Sequence, residues 1–151
     1  MSMKVRKRKP GKLMRISQIY LGEIIDLEDQ KIYRLNNKVI SKVRIFGVVL
    51  SKNEYSNEGN KNCIILLDDG SDTIELRMWS RPIKRDDGSI EDQYTMINPV
   101  KEGQIIDVIG KVREYNEEMY IIPEIIQTNL SIQWEINRRA NLIKLQSDLA
   151  D

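Results

Sequence analysis

Two glycines, Gly47 and Gly110, stand inside the two longest β-type runs of this chain, and they limit what it can fold into. The first run, Val39 to Asn53, is β-branched or bulky at Val39, Ile40, Val43, Ile45, Phe46, Val48, Val49 and Leu50. The second, Gln104 to Glu114, alternates Ile106, Val108 and Val112 toward one side. A glycine within a strand marks a bulge or a sharp coil where the strand leaves one sheet neighbour for another. Small barrels require that bend.

Three further strands complete the pattern. Cys63 to Asp68 is a short apolar run joined to the first strand by the polar loop Glu54-Tyr55-Ser56-Asn57-Glu58-Gly59-Asn60. Asp68-Asp69-Gly70-Ser71 then turns the chain into Asp72 to Trp79, with Gly70 supplying a positive φ. Glu118 to Gln127, rich in isoleucine, follows a reversal at Asn116-Glu117, and Pro123 implies an edge or a bulge there. Residues 80–103 carry Arg81-Pro82, Asp86-Asp87-Gly88-Ser89 and Asn98-Pro99, all breakers, and read as a long irregular connection. Five strands with bends in the first and fourth and an insert between the third and fourth describe a mainly β, five-stranded Greek-key barrel, the OB-fold. An SH3-like barrel competes but rarely has so long an insert at that place. Residues 13–34 show apolar positions without one clean period and read as a short helix or strand covering one end of the core.

After Asn129 the period changes. Ile132, Ile136, Ala140 and Ile143 recur at helical spacing, with Leu142, Leu145 and Leu149 widening the stripe and Ser131 placed to cap it. That face is wider than one barrel needs, which points to a partner helix. The expected organisation is a basic, disordered tail over residues 1–12, an OB-fold domain over 13–128 and a C-terminal assembly helix over 129–151.

At 151 residues there is room for one domain with appendages. No apolar run approaches the roughly 18–20 residues of a membrane span, and the basic amino terminus has no apolar secretory block, so an intracellular protein without a membrane partner is expected, in cytoplasm or nucleoid if archaeal and nucleus if eukaryotic. The lone cysteine, Cys63, sits in an apolar run and reads as a small core residue. The chain has no histidine, which removes the commonest general base and zinc ligand together. Asp68-Asp69, Asp86-Asp87 and Glu117-Glu118 are turn acids rather than a catalytic pair. Neither an enzyme, nor a cofactor, metal or small-molecule substrate, is expected. The net charge of +1 hides a segregation: residues 1–15 hold seven Lys or Arg and no acid, leaving 17 basic against 23 acidic residues, a net of −6, in the rest. So acidic a body suits a modest nucleic-acid binder or a subunit working beside a stronger one.

Strand alternation places the candidate site. Ile74, Leu76 and Met78 share one face of the third strand, and Glu75, Arg77 and Trp79 the other, so a tryptophan stands on the polar side. In the fourth strand Lys111, Arg113 and Tyr115 likewise face outward. Aromatics beside cations at the outer ends of two strands suit a surface on which bases stack while phosphates are held. Tyr55, the aromatic of the polar loop, joins this candidate set.

These residues also resemble a known family. Ile16-Ser17-Gln18, Leu66-Leu67-Asp68-Asp69-Gly70, Ile74-Glu75-Leu76-Arg77-Met78-Trp79, Val108-Ile109-Gly110-Lys111-Val112-Arg113-Glu114-Tyr115 and the closing helix are similar in order and spacing to the middle subunit of replication protein A, in a compact archaeal-type version. The resemblance implies an OB-fold that binds single-stranded DNA, with Trp79 and Tyr115 as stacking aromatics and Arg77, Lys111 and Arg113 at phosphates. It also implies that Ile132, Ile136, Ala140 and Ile143 form the seam of a three-helix bundle with a large and a small OB-fold subunit. The Ser/Thr-rich tail and winged-helix domain of eukaryotic members have no counterpart here, and Glu114, Glu117 and Glu118 would repel phosphate near Tyr115. A related alternative is a scaffold subunit of the telomere-capping type, with little DNA binding of its own.

Overall fold

The computed structural model describes residues 11–80, 82–128 and 130. Most of the expected basic tail, and the expected helix with Ile132, Ile136, Ala140 and Ile143, lie outside the described residues. In chain order the elements are β1 (Lys12–Leu13), α1 (Ile16–Ile19), β2 (Glu23–Asp26), β3 (Lys31–Leu35), β4 (Lys38–Val39), β5 (Val43–Asn57), β6 (Asn60–Asp68) and β7 (Thr73–Trp79). There follow β8 (Pro82–Lys84), β9 (Ile90–Asp92), a 3-10 helix (Gln93–Ile97), β10 (Ile105–Tyr115) and β11 (Glu118–Gln127).

The main sheet runs β1-β5-β10-β11-β7-β6, and β5 pairs again with β6. All pairings among the five long strands are antiparallel except β11–β7, which is parallel and joins only at Tyr120–Glu75 and Ile121–Leu76. This is the Greek-key order expected of the sequence, but the short β11–β7 seam leaves the barrel partly open rather than fully closed.

Gly47 acts where the pattern placed the bend. Up to Val48, β5 pairs with β10, and from Val48 onward with β6. A Cβ on Gly47 would stand 2.4 Å from the Asp68 carbonyl oxygen, so the close strand crossing admits only glycine. At Gly110 the β10–β11 register slips: Ile109 pairs with Ile125 and Gly110 with Pro123, so Glu124 bulges out, which is the irregularity that Pro123 implied.

Alternation then fills the interior. Val43, Ile45, Cys63, Ile65, Leu67, Ile74, Leu76, Met78, Val108, Val112 and Ile121 are all buried. Cys63 packs among them as a core residue, and burial pushes its thiol up to about 11, with Glu54 adding to the rise. Among the described residues one charge lies inside: Asp107, 3% exposed, accepts from Arg44 Nε at 3.0 Å and Nη2 at 2.6 Å.

Three expectations change in detail. Lys12, expected as the last residue of the tail, forms β1 with Leu13, parallel to Val43 and Arg44 on β5. Residues 13–34 are not a single cap: α1 buries Ile16 and Ile19, and β3 pairs with both β2 and β4 in a separate three-stranded meander closed on the core by Tyr33. The Asp69 carboxylate holds α1 in place, accepting from Ile16 N at 2.8 Å while also closing its own turn through Ser71. The 80–103 connection contains the β8–β9 hairpin and the 3-10 helix, whose Tyr94 and Ile97, with Val100, plug the barrel end. Lys52 Nζ clamps this plug by donating to the Ile97 and Val100 carbonyls at 2.8 and 3.0 Å.

Candidate nucleic-acid interface

β7 buries Ile74, Leu76 and Met78, and its other phase presents Glu75, Arg77 and Trp79. Directly opposed residues in a ladder share a face. Trp79 opposes Asn62, which opposes Tyr55, so these three form one row across β7, β6 and β5. Arg77, Ile64 and Asn53 form the next row. Glu75 opposes both Leu66 and Tyr120, and Tyr120 in turn opposes Arg113. Lys111, Arg113 and Tyr115 follow on the same side of β10, with Tyr115 opposite Glu118. The six residues singled out from the sequence therefore stand on one outer face of the sheet.

Trp79 is 38% exposed and Tyr115 64%, so neither ring is buried. Tyr55, 52% exposed, belongs to β5 rather than to a loop, because β5 and β6 continue as a free hairpin to a tight tip at Glu58-Gly59. Its position is therefore fixed by ladder bonds, next to Asn62 and one strand beyond Trp79.

The residue that sequence reasoning missed is Tyr120. Its ring centroid lies 6.2 Å from that of Trp79 at an interplanar angle of 75°, an edge-to-face pair. The Arg77 guanidinium sits 4.5 Å from the Tyr120 centroid, within cation–π range. Arg77 is only 19% exposed in its side chain, lies 3.5 Å from Glu75 and 3.9 Å from Glu118, and its buried Nε makes no hydrogen bond. Its charge is thus engaged inside the molecule, where it props Tyr120 rather than standing free. Alternation alone could have found Tyr120: with Ile121 inward, Glu118, Tyr120 and Ile122 must face out.

The remaining cations differ. Lys111 Nζ is 3.7 Å from bulged Glu124, whose other oxygen is held more closely by Lys42 at 2.6 Å. Arg113 makes no ion pair among the described residues, and its Nη1 donates to the Val112 carbonyl at 2.9 Å. The arrangement offers two adjoining aromatic rings, with a less hindered cation one strand away, on a sheet face that also carries Ile64 and Leu66. Chemically it can stack flat apolar rings and attract anions.

Residues 43–132 match the family described as OB-fold nucleic acid binding domain. The chain belongs to that family. Among curated proteins no match is found. Solved structures with this fold include a chain of the S. pombe Stn1–Ten1 complex, at a TM-score of 0.69 and 16% identity over 93% of this chain and 94% of the other. A chain of a replication protein A heterotrimer bound to ssDNA superposes at a TM-score of 0.65 and 14% identity, over 93% of this chain and 98% of the other. Yeast RPA bound to ssDNA gives 0.60 and 20%, over 93% and 94%. At these identities the likeness is one of fold. The family match makes this an OB-fold nucleic-acid-binding domain, and its fold is built like those of components of RPA and Stn1–Ten1 assemblies.

Proposed function

We propose that this chain is a single-stranded-DNA-binding subunit of a replication protein A-like heterotrimer, protecting exposed strands in replication, repair and recombination, and that it binds rather than catalyses. The reading rests on one observation: Trp79 stands edge-on to Tyr120 on the outer sheet face, exposed, with Arg113 opposite Tyr120. Successive bases stack on such rings regardless of sequence, and the neighbouring cation takes a phosphate. The ssDNA-bound RPA structures, which share the fold, supply the assembly context. In it, the large and small OB-fold subunits would join through the residues after Asn129.

Each stacked base contributes roughly 1–3 kcal/mol, so Trp79→Ala should weaken binding of an oligo(dT) probe about tenfold or more. Trp79 lies at a strand end outside the buried core, so stability should fall by no more than about 0.5–1.5 kcal/mol, the worth of its contact with Tyr120, and the variant should stay folded. Unchanged affinity would remove the platform.

A second reading, a scaffold subunit as in a telomere-capping assembly, is favoured by Glu75 and Glu118, which flank Arg77 on the same face. Titrating the isolated chain with oligonucleotide, and then the complex purified with its partners, separates the two: the scaffold reading requires binding only in the complex.

A further inference from the structure

The platform ends, on its β10 side, at a cleft that the sequence did not reveal. The β2–β4 meander stands off β10 and encloses about 540 Å³ with it, between Lys31, Tyr33, Ile40 and Ser41 on one wall and Lys111 and Arg113 on the other. Three of the lining residues are cations, and none carries a carboxylate. That composition is unusual for a chain whose residues beyond the first 15 carry 17 Lys and Arg against 23 Asp and Glu. Lys31 is exposed and, like Arg113, forms no ion pair among the described residues. Lys111 shares Glu124 with the closer Lys42. Tyr33 does not compete for a ligand, because its hydroxyl donates to the Ile19 carbonyl at 2.8 Å.

Arg113 ties the cleft to the platform. It opposes Tyr120 across the β10–β11 ladder and at the same time lines the cleft. A strand stacked on Trp79 and Tyr120 and continued across β10 therefore runs between Arg113 and Lys31. We propose that this cleft is a second subsite, taking the sugar-phosphate backbone of the same single strand beyond the stacked bases, with Lys31, Lys111 and Arg113 at its phosphates and Ile40 against a sugar. The inference rests on the single-strand-binding reading and extends its footprint to the N-terminal meander. The volume falls within the range of roughly 300–1,000 Å³ of small-ligand pockets, enough for backbone without a stacked base. Cations in a cleft also gain from the low-dielectric walls around them.

The test is a length and salt series on the full chain, with oligo(dT) probes from roughly four to sixteen nucleotides, the span of OB-fold site sizes. Lys31→Glu should leave the shortest probes unaffected and weaken the longest several-fold. The slope of log affinity against log salt for long probes should become shallower by about 0.7 for each phosphate that the variant no longer neutralises. Trp79→Ala should weaken short and long probes alike. Lys31 is exposed on a short surface strand, and thermal melting of Lys31→Glu, with Lys31→Gln as a neutral second variant, checks that loss of binding is not loss of fold.

If Lys31→Glu binds every length as the parent does, with an unchanged slope, the cleft proposal fails while the platform stands. If Lys31→Glu weakens long probes and Trp79→Ala changes nothing, the platform fails and the cleft survives. A chain that binds no probe at any length overturns both. Inorganic phosphate at constant ionic strength should not displace the long probe; displacement by phosphate alone would make the cleft a free-anion pocket and overturn the backbone assignment.

Discussion

Removing the Tyr120 ring should expose how the outer face is built. Three interactions meet there: the edge-to-face contact with Trp79, worth about 0.5–1.5 kcal/mol, the Arg77 cation over the ring, worth about 0.5–2 kcal/mol, and any base stacked on it, worth about 1–3 kcal/mol. The first two act without ligand, so Tyr120→Ala should lower stability by about 1–3 kcal/mol, read by urea unfolding. Tyr120→Leu keeps apolar bulk and restores part of that loss, but it lacks a π face. Tyr120→Phe keeps the ring, and the hydroxyl makes no hydrogen bond that the fold depends on among the described residues. Fluorescence anisotropy with labelled oligo(dT), at a temperature where every variant is folded, should then rank affinities as parent and Phe together, with Leu and Ala weaker by about tenfold or more. A Leu variant that binds as tightly as the parent would refute the claim that Tyr120 is part of a stacking surface.

Glu118, 74% exposed in its side chain, faces Tyr115 and lies 3.9 Å from Arg77, where it repels phosphate; Glu118→Gln should tighten oligonucleotide binding by up to about fivefold, the scale of an exposed charge interaction, and equal or weaker binding would contradict this electrostatic reading. Asp107→Asn leaves the partly exposed Arg44 guanidinium beside a buried neutral partner and should cost about 1.5–3 kcal/mol in chemical denaturation, with a loss under about 0.5 kcal/mol speaking against a tight pair. Burial raises the Tyr33 phenol from 10.0 to about 12, so its contribution is intact below pH 10 and is lost as pH rises toward 12, where the unfolded chain ionises first. Stability measured by urea unfolding should therefore fall across that window, and Tyr33→Phe should flatten the fall; an unchanged slope would contradict the assignment.

The core strands were legible because each is long, buried on one side and flanked by turn formers. Gly47 and Gly110 announced their bends because only a residue without a Cβ tolerates the backbone approaching at 2.4 Å in each case. The meander was not legible: β2, β3 and β4 are too short to show a period, and of their residues only Tyr33 is buried. The outer half of the β5–β6 hairpin was read as a loop because residues 53–57 are exposed on both faces and carry no apolar alternation. What holds them in a strand is the ladder to Asn60–Ile64, a partnership no local window contains. Trp79 and Tyr115 were visible as aromatics out of place on polar faces, whereas Tyr120 hid among Met119, Ile121 and Ile122. Alternation puts it on the outer face, but its contacts with Trp79 and Arg77 depend on which strand lies across the seam, and the sequence carries no record of that. The same holds for the cleft, whose two walls are about 70–80 residues apart in the chain.

The chain has two tryptophans, Trp79 and Trp134, so replacing the second isolates the emission of the first. In a Trp134→Phe background, titration with unlabelled oligo(dT) should quench Trp79 fluorescence saturably, with a midpoint equal to the Kd from anisotropy and with loss of quenching at high salt. Emission that stays constant while anisotropy reports binding would mean that no base reaches the indole, and the stacking platform at the centre of this account would be wrong.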